Sequence, residues 1–290
     1  MERIIKMTGR LVIVSTPIGN LGDFSERAAL ALEHADIIAC EDTRMTRKLL
    51  ALTARTTKAK LVPYHDHNGA TMRPRLLADI GDGKIVALVS DAGTPLISDP
   101  GYKLVASCHD HNFTVTAVPG PSAPLTALSI SGLPSDKFLF AGFLPSTAKA
   151  ASAAITEIRD LPVTTIWFES PRRLLRSLTL MADILGPRLG VVARELTKLH
   201  EDVCRAPLPD LVTMFSQRDV VKGELVILVE GKSKDDASFD AADLTIMLEA
   251  ELQSQSLRDA VKSVVENTGL PRRDIYKLAL QITDEASAEK

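Results

Sequence analysis

The sequence has no apolar run approaching the roughly 18 residues of a membrane span, and its opening stretch, MERIIKMTGR, lacks the apolar core of a secretion signal. A cytoplasmic protein without a membrane segment is expected. Cysteine is scarce. Cys40, Cys108 and Cys204 lie far apart, which speaks for reduced thiols and against a disulfide framework. Positive charge is not in excess. A net charge of −3 over 290 residues disfavours a globally basic nucleic-acid binder and leaves room only for a local basic patch. Two phosphate-binding fingerprints are also missing. No Walker lysine follows the glycine-bearing loops, which disfavours a nucleotide triphosphatase. No GxGxxG is present, which disfavours a nicotinamide-dependent dehydrogenase.

The composition that remains, 45% hydrophobic and 24% charged, is that of a globular chain long enough for two core-bearing domains or one large one. Its recurring pattern is a short apolar run ending in a loop of small residues. Ile85 to Val89 suits a strand buried on both faces. It stops on Ser90-Asp91-Ala92-Gly93-Thr94-Pro95. Small residues there let a ligand approach the backbone, Gly93 can take a positive φ, and Asp91 can accept hydrogen bonds from hydroxyls or turn amides. A helix is expected to begin near Pro100 and to end at Cys108-His109-Asp110-His111. Leu11 to Val14 ends in the same way, in Ser15-Thr16-Pro17-Ile18-Gly19-Asn20. Val115 to Val118 leads into Pro119-Gly120-Pro121-Ser122-Ala123, with Ser122 placed to cap a helix reaching Ser131. In one parallel sheet the three loops would open on a single edge, where open α/β folds bind ligands. Taken singly, each also reads as an ordinary turn.

Between these loops, Ser25 or Asp23 can cap a helix through His34 with Ala28, Leu32 and Ala35 on one face. Asp36 to Cys40 reads as a strand, and Thr43 as the cap of a helix reaching Leu52. His65-Asp66-His67 has metal-ligand residue types. On an extended chain the two imidazoles would point to opposite sides, so a polar loop is expected and no metal.

Leu133 to Asp136 reads as a linker into a second α/β region. Strands are expected at Phe138–Phe143, Val163–Phe168, Gly190–Ala193 and Leu225–Val229, with Val203–Ala206 pairing with the third. Helices are expected at Ala148–Arg159 and Arg172–Leu185, the latter turning Leu174, Leu175, Leu178 and Met181 to the core. Gly231 to Phe239 is a polar boundary. Beyond it Leu244, Met247 and Leu248 outline an amphipathic helix, and Ser256 with Asp259 resembles a capping box for another. Gly269 would stop that helix and Pro271 open a last one. This reads as a helix-turn-helix-like module. Its Arg258, Lys262, Arg272, Arg273 and Lys277 suit phosphate contacts or a solvated face. The divisions are 10–132, 136–232 and 240–284.

The blocks VSTPIGNLGDFSERA, CEDTRMTRKLL, VSDAGTPLISDPG, VPGPSAPLTALSISGLP, FLFAGFLP, FESPRRL and ARELTKLHE, long and in order, resemble the tetrapyrrole-methylase superfamily. More narrowly they resemble its ribosomal branch, which methylates a cytidine ribose 2′-oxygen of small-subunit (16S) ribosomal RNA. The superfamily's usual first loop, GxGPGD, stands here as STPIGNLGD. The resemblance implies a two-domain α/β fold of the tetrapyrrole-methylase type with a small C-terminal helical module. It implies S-adenosylmethionine as cofactor, no metal, a homodimer, and 16S ribosomal RNA, within the small ribosomal subunit, as partner. Matched motif to motif, it places the donor against Ile18, Asp91, Ala92, Gly93, Thr94, Ser122 and Ala123 of the first domain, with Phe168 and Glu169 approaching from the second.

Methyl transfer needs in-line positioning, and a weakly nucleophilic ribose hydroxyl needs a base or a stabilising cation. Glu169, Arg172, Glu195 and Glu224 lie at expected strand ends of the second domain and are the catalytic candidates, though each also admits a structural role. The FESPRR loop is the expected entry of the methylated strand. A tetrapyrrole methylase shares the superfamily blocks, but the ESPRR loop and the helical tail favour RNA. A non-catalytic RNA-binding module, with the tail as its recognition element, is the remaining alternative.

Overall fold

The computed structural model describes residues 9–233, 241–268 and 270–288. Five of the apolar runs form one sheet: β1 (Arg10–Val14), β2 (Ile37–Cys40), β3 (Lys60–Pro63), β4 (Ile85–Val89) and β5 (Thr114–Val118). All pairings are parallel and the order is β3-β2-β4-β1-β5. Leu11, Ile37, Ala39, Val86 and Leu88 face one side, where Leu76 and Ile80 of α3 (Gly69–Gly81) and Leu104 and Cys108 of α4 (Tyr102–Asp110) cover them. Val12, Val14, Ile38, Cys40, Ala87 and Val89 face the other, under Ala28 and Leu32 of α1 (Glu26–Glu33) and Leu50 of α2 (Thr43–Leu52). Burial on both faces is why these strands read as continuous apolar runs.

Local chemistry sets the helix starts. The Ser25 hydroxyl accepts the Ala28 N–H at 3.1 Å and begins α1. For α2 the cap is Asp42, whose carboxylate accepts the Arg44 N–H at 2.8 Å; Thr43, expected as the cap, is the first helical residue. Helix α3 has no counterpart in the sequence reading, because Gly69 opens it and Pro74 interrupts it. It rises from a turn at residues 65–68, held by the His65 N–H on Asn68 Oδ1 at 3.0 Å. The chain there is not extended, and the His65 and His67 rings approach each other with centroids 5.9 Å apart. Among the described residues no cluster of three metal-ligating side chains forms.

The second sheet holds β6 (Phe138–Phe143), β7 (Thr164–Glu169), β8 (Leu189–Arg194), β9 (Asp202–Pro207) and β10 (Leu225–Val229), in the order β6-β7-β10-β8-β9. Only β6 and β7 are parallel. β10 runs antiparallel to both neighbours and β9 antiparallel to β8. The start of β10 therefore shares an edge with the ends of β7 and β8: Leu225 pairs with both Glu169 and Arg194. One face carries Ile166, Val191, Ala193, Val226 and Leu228, covered by Ile18 from the first lobe and by Ala127 and Leu128 of α5 (Ala123–Ser131). Helix α6 (Ala148–Ile158) lies between β6 and β7 in sequence. Helices α7 (Leu174–Leu185) and α8 (Leu208–Ser216) pack on each other. Leu174, Leu178 and Met181 of α7 are buried, whereas Leu175, expected in the core, is 42% exposed. Helix α8 was not legible: it opens on Leu208-Pro209 directly after β9.

Both sheets belong to one compact unit, the described residues up to Glu157 with Thr164–Glu230. The second unit takes Ile158–Val163 together with the described residues from Gly231 onward. The short segment belongs there because Lys232 donates from its N–H to Leu161 O and from Nζ to Asp160, at 2.9 and 2.8 Å. The rest of this unit is α9 (Ala241–Leu252), α10 (Leu257–Thr268) and α11 (Arg272–Ala288), closed around Leu248, Val261, Val264, Ile275 and Ala279. Ser256 Oγ accepts the Asp259 N–H at 3.3 Å and donates to Asp259 Oδ2 at 2.6 Å, a side-chain pair in place of the full reciprocal box. The opening stretch, most of the polar boundary and Gly269 lie outside the described residues.

Candidate active site

The strands whose loops stood out, β4, β1 and β5, are neighbours in the first sheet. Their loops open on one edge and are tied together. Thr16 and Gly93 exchange both backbone hydrogen bonds, at 2.9 and 3.1 Å. Ser15 Oγ and Thr94 Oγ1 are 3.0 Å apart, and Thr94 Oγ1 donates to Pro121 O at 2.9 Å. Gly93 has φ +79°, and a Cβ on it would come within 3.2 Å of Ile18 Cγ2. Asp91 Oδ1 accepts the Asp42 N–H at 3.1 Å, which brings the loop after β2 into the group. Ser122 begins α5 through its backbone carbonyl, accepting the Thr126 N–H at 2.9 Å; its side chain makes no cap bond.

These loops and the edge of the second sheet enclose a cavity of about 490 Å³. Ile18, Asp91, Ala92, Gly93, Thr94, Ser122, Ala123 and Phe168 all line it. The wall is acidic. It carries Glu41, Asp91, Asp99, Glu169 and Glu224, and no Lys or Arg is among the described residues that line it. Burial, then the charges of Glu41 and Asp91, push the Asp99 carboxyl up to about 6, against a lowering hydrogen bond from Ser90. Burial raises Asp91, opposed by the Asp42 N–H, and burial and then the Asp91 charge raise Glu41. Asp99 and Glu41 were not singled out in the sequence. The available signal was a second carboxylate eight residues beyond Asp91 in the same loop.

The catalytic candidates sit differently from one another. Glu169 borders the cavity, but its side chain is fully buried. It accepts Ser177 Oγ at 2.6 Å and its neighbour's Ser170 N–H at 2.7 Å, and pairs with Arg173 at 3.2 Å. Arg173 also donates to Leu144 O and Pro145 O, at 2.5 and 2.9 Å. The ESPRR loop is thus anchored through Glu169 and Arg173, while Arg172 is exposed and outside the cavity lining. Glu195 is also outside the lining. Its Oε1 accepts Lys198 Nζ at 2.8 Å and the Glu224 N–H at 2.9 Å, and this pairing holds its carboxyl below the usual range. Lys198 reaches on to Glu224 Oε2 at 2.9 Å. Glu224 is the one of the group that faces the cavity from an exposed side chain.

The family model described as Tetrapyrrole (Corrin/Porphyrin) Methylases matches residues 10–212. The chain belongs to that family. A second model, described as the RsmI C-terminal HTH domain, matches residues 239–283 of this tetrapyrrole methylase. A protein of Mesorhizobium japonicum named Ribosomal RNA small subunit methyltransferase I is 43% identical over 279 residues, covering 94% of this chain and 92% of its own. The protein of the same name from Vibrio cholerae is 45% identical over 276 residues, covering 93% and 94%. Among solved structures, a diphthine synthase has TM-score 0.61 at 16% identity, over 77% of this chain and 90% of its own. A Thermus thermophilus uroporphyrin-III C-methyltransferase, complexed with S-adenosylhomocysteine, has TM-score 0.52 at 19% identity, over 77% and 98%. These last two likenesses concern the fold.

Proposed function

We propose that this chain transfers a methyl group from S-adenosylmethionine to the 2′-oxygen of a cytidine ribose in 16S ribosomal RNA, within the small ribosomal subunit. The observation that carries the reading is the cavity itself: three glycine- and proline-bearing loops around a space walled by the acidic residues Glu41, Asp91, Asp99 and Glu224, in a chain 43% identical over most of its length to a ribosomal RNA small subunit methyltransferase. The residues fit a cationic adenosyl donor. Gly93 stands where a Cβ would come within 3.2 Å of Ile18, Asp91 to Thr94 line the cavity with small residues, and the acidic wall favours a positive charge. Ile18, Asp91, Ala92, Gly93, Thr94, Ser122, Ala123 and Phe168 would hold it. Bound there, S-adenosylmethionine supplies an activated methyl group whose leaving group is a neutral thioether.

The chain's own task is to place the ribose hydroxyl and take its proton. Asp99 is the group suited to it, a cavity carboxylate whose affinity for a proton is raised to about 6. It is ionised at neutral pH and basic enough to accept the hydroxyl proton on Oδ as the oxygen bonds to carbon. Glu169, Arg172 and Glu195 take supporting roles in this reading: Glu169 fixes the ESPRR loop, Arg172 meets RNA phosphate, and Glu195 orients Glu224. A cytoplasmic homodimer is carried over from the resemblance, with light scattering as its check.

Small subunits from cells lacking this protein, incubated with it and labelled S-adenosylmethionine, are expected to take label into a 16S cytidine ribose, located by mass mapping. Label in uroporphyrinogen offered in parallel, or none in RNA, would sink the proposal.

A further inference from the structure

Phe143 has no part in the chemistry so far, yet two irregularities of the backbone bring it to the cavity. Simple alternation along β6 would place Phe143 on the face opposite Phe140. The register against β7 shifts between Phe140 and Gly142, so that Phe140 pairs with Ile166 and Phe143 with Phe168. Ile166 and Phe168 are two residues apart on one strand and share a face. The bulge, with Gly142 at φ +70°, therefore turns Phe143 onto the face of Phe140 and Phe168. Its ring lies 5.2 Å from that of Phe168, and the Phe140 and Phe168 rings are 5.1 Å apart. Phe143 remains 58% exposed while lining the cavity.

The first lobe answers with a lip of its own. Ile97 lines the same cavity and is 38% exposed, between Leu96 at φ +75° and Ser98 at φ +65°. Two non-glycine residues in left-handed backbone are costly and mark a constrained segment. The two lips are neighbours, since a Cβ on Gly142 would lie 3.6 Å from Ser98 Oγ. Behind them stands the acidic wall. The charges of Glu41, Asp91, Asp99 and Glu224 repel a phosphate chain from this space. The part of a nucleotide that can enter is its uncharged base and sugar, and an unstacked base seeks an aromatic face.

We propose that Phe143, with Ile97 beside it, is the stacking platform for the base of the acceptor nucleotide, which is splayed out of the RNA so that its ribose reaches the cavity while its phosphates stay at the rim. This rests on the ribosomal RNA methyltransferase reading above. The test uses the full chain and small subunits carrying a fluorescent cytosine analogue at the mapped acceptor position. Without donor, the unsubstituted protein is expected to change the analogue's fluorescence on binding, and Phe143→Leu to lose that change. Phe143→Leu should lower kcat/KM for unlabelled subunits by about tenfold, mostly through KM, and Phe143→Trp should restore it. Donor affinity by calorimetry should stay within about twofold, since stacking of the acceptor base is all that is removed. An unchanged kcat/KM in Phe143→Leu overturns the platform while leaving the methyltransferase reading intact. Donor affinity falling in step with kcat/KM also overturns it, because the ring would then hold the donor's adenine. No transfer by the unsubstituted protein removes both.

Discussion

Asp99 illustrates what burial does to one carboxyl. Its proton affinity in the folded chain, raised to about 6 from its ordinary value of 3.8, has opposite consequences for activity and stability. The ionised form is the base, so kcat/KM should rise with pH through about 6 and level off above it. Asp99→Asn should abolish that limb and lower kcat by about a hundredfold or more, measured as a pH–rate profile with labelled donor. Stability has the other sign. A carboxyl whose folded pKa lies above its unfolded one binds protons more tightly when folded, so its contribution is most favourable at low pH and is lost as pH rises through the folded value. At pH 7 Asp99→Asn should therefore raise the melting temperature by a few degrees, read by calorimetry. At this scale the cavity loop Asp91 to Thr94 was legible, because small residues break a strand there, a local signal. Asp99 and Phe143 were hidden because one depends on burial and the other on a register shift.

At the scale of elements, the parallel strands were legible from their apolar runs, and the helices from caps such as Ser25. Helices α3 and α8 were not: Pro74 inside α3 contradicts local propensity and packing overrides it, and α8 follows β9 directly, its Pro209 in the first turn reading equally as a loop. The antiparallel course of β10 was also invisible, though it is what brings Glu224 to the edge shared with Glu169 and Glu195. The ESPRR loop separates two arginines that look alike in sequence. Arg172→Ala should weaken binding to the small subunit and lower its salt slope by roughly one unit, with donor affinity unchanged. Arg173→Ala should instead destabilise the protein, because it leaves the buried Glu169 carboxylate without its counter-charge, held only by Ser177 and Ser170, a loss of about 2–3 kcal/mol. Denaturant titration of the two variants separates the roles. Equal stabilities would refute the anchoring assigned to Arg173.

For the whole molecule, a net charge of −3 and an acidic cavity mean that RNA must be gripped by local cations. The helical unit supplies an exposed set in Arg258, Lys262, Arg272, Arg273 and Lys277. Replacing Arg272 and Arg273 by Glu should reduce affinity for small subunits by about tenfold at moderate salt while donor binding is unchanged. Filter binding and calorimetry on the same preparations check this, and an unaltered affinity would assign the unit another purpose. The mutual bonding of Thr16 with Gly93, and of Ser15, Thr94 and Pro121, bears on the molecule as a whole. Loops that fasten one another need no guest to shape them. A nucleoside entering between them forfeits its own freedom and asks little of the backbone, so its affinity can be spent on choosing among guests.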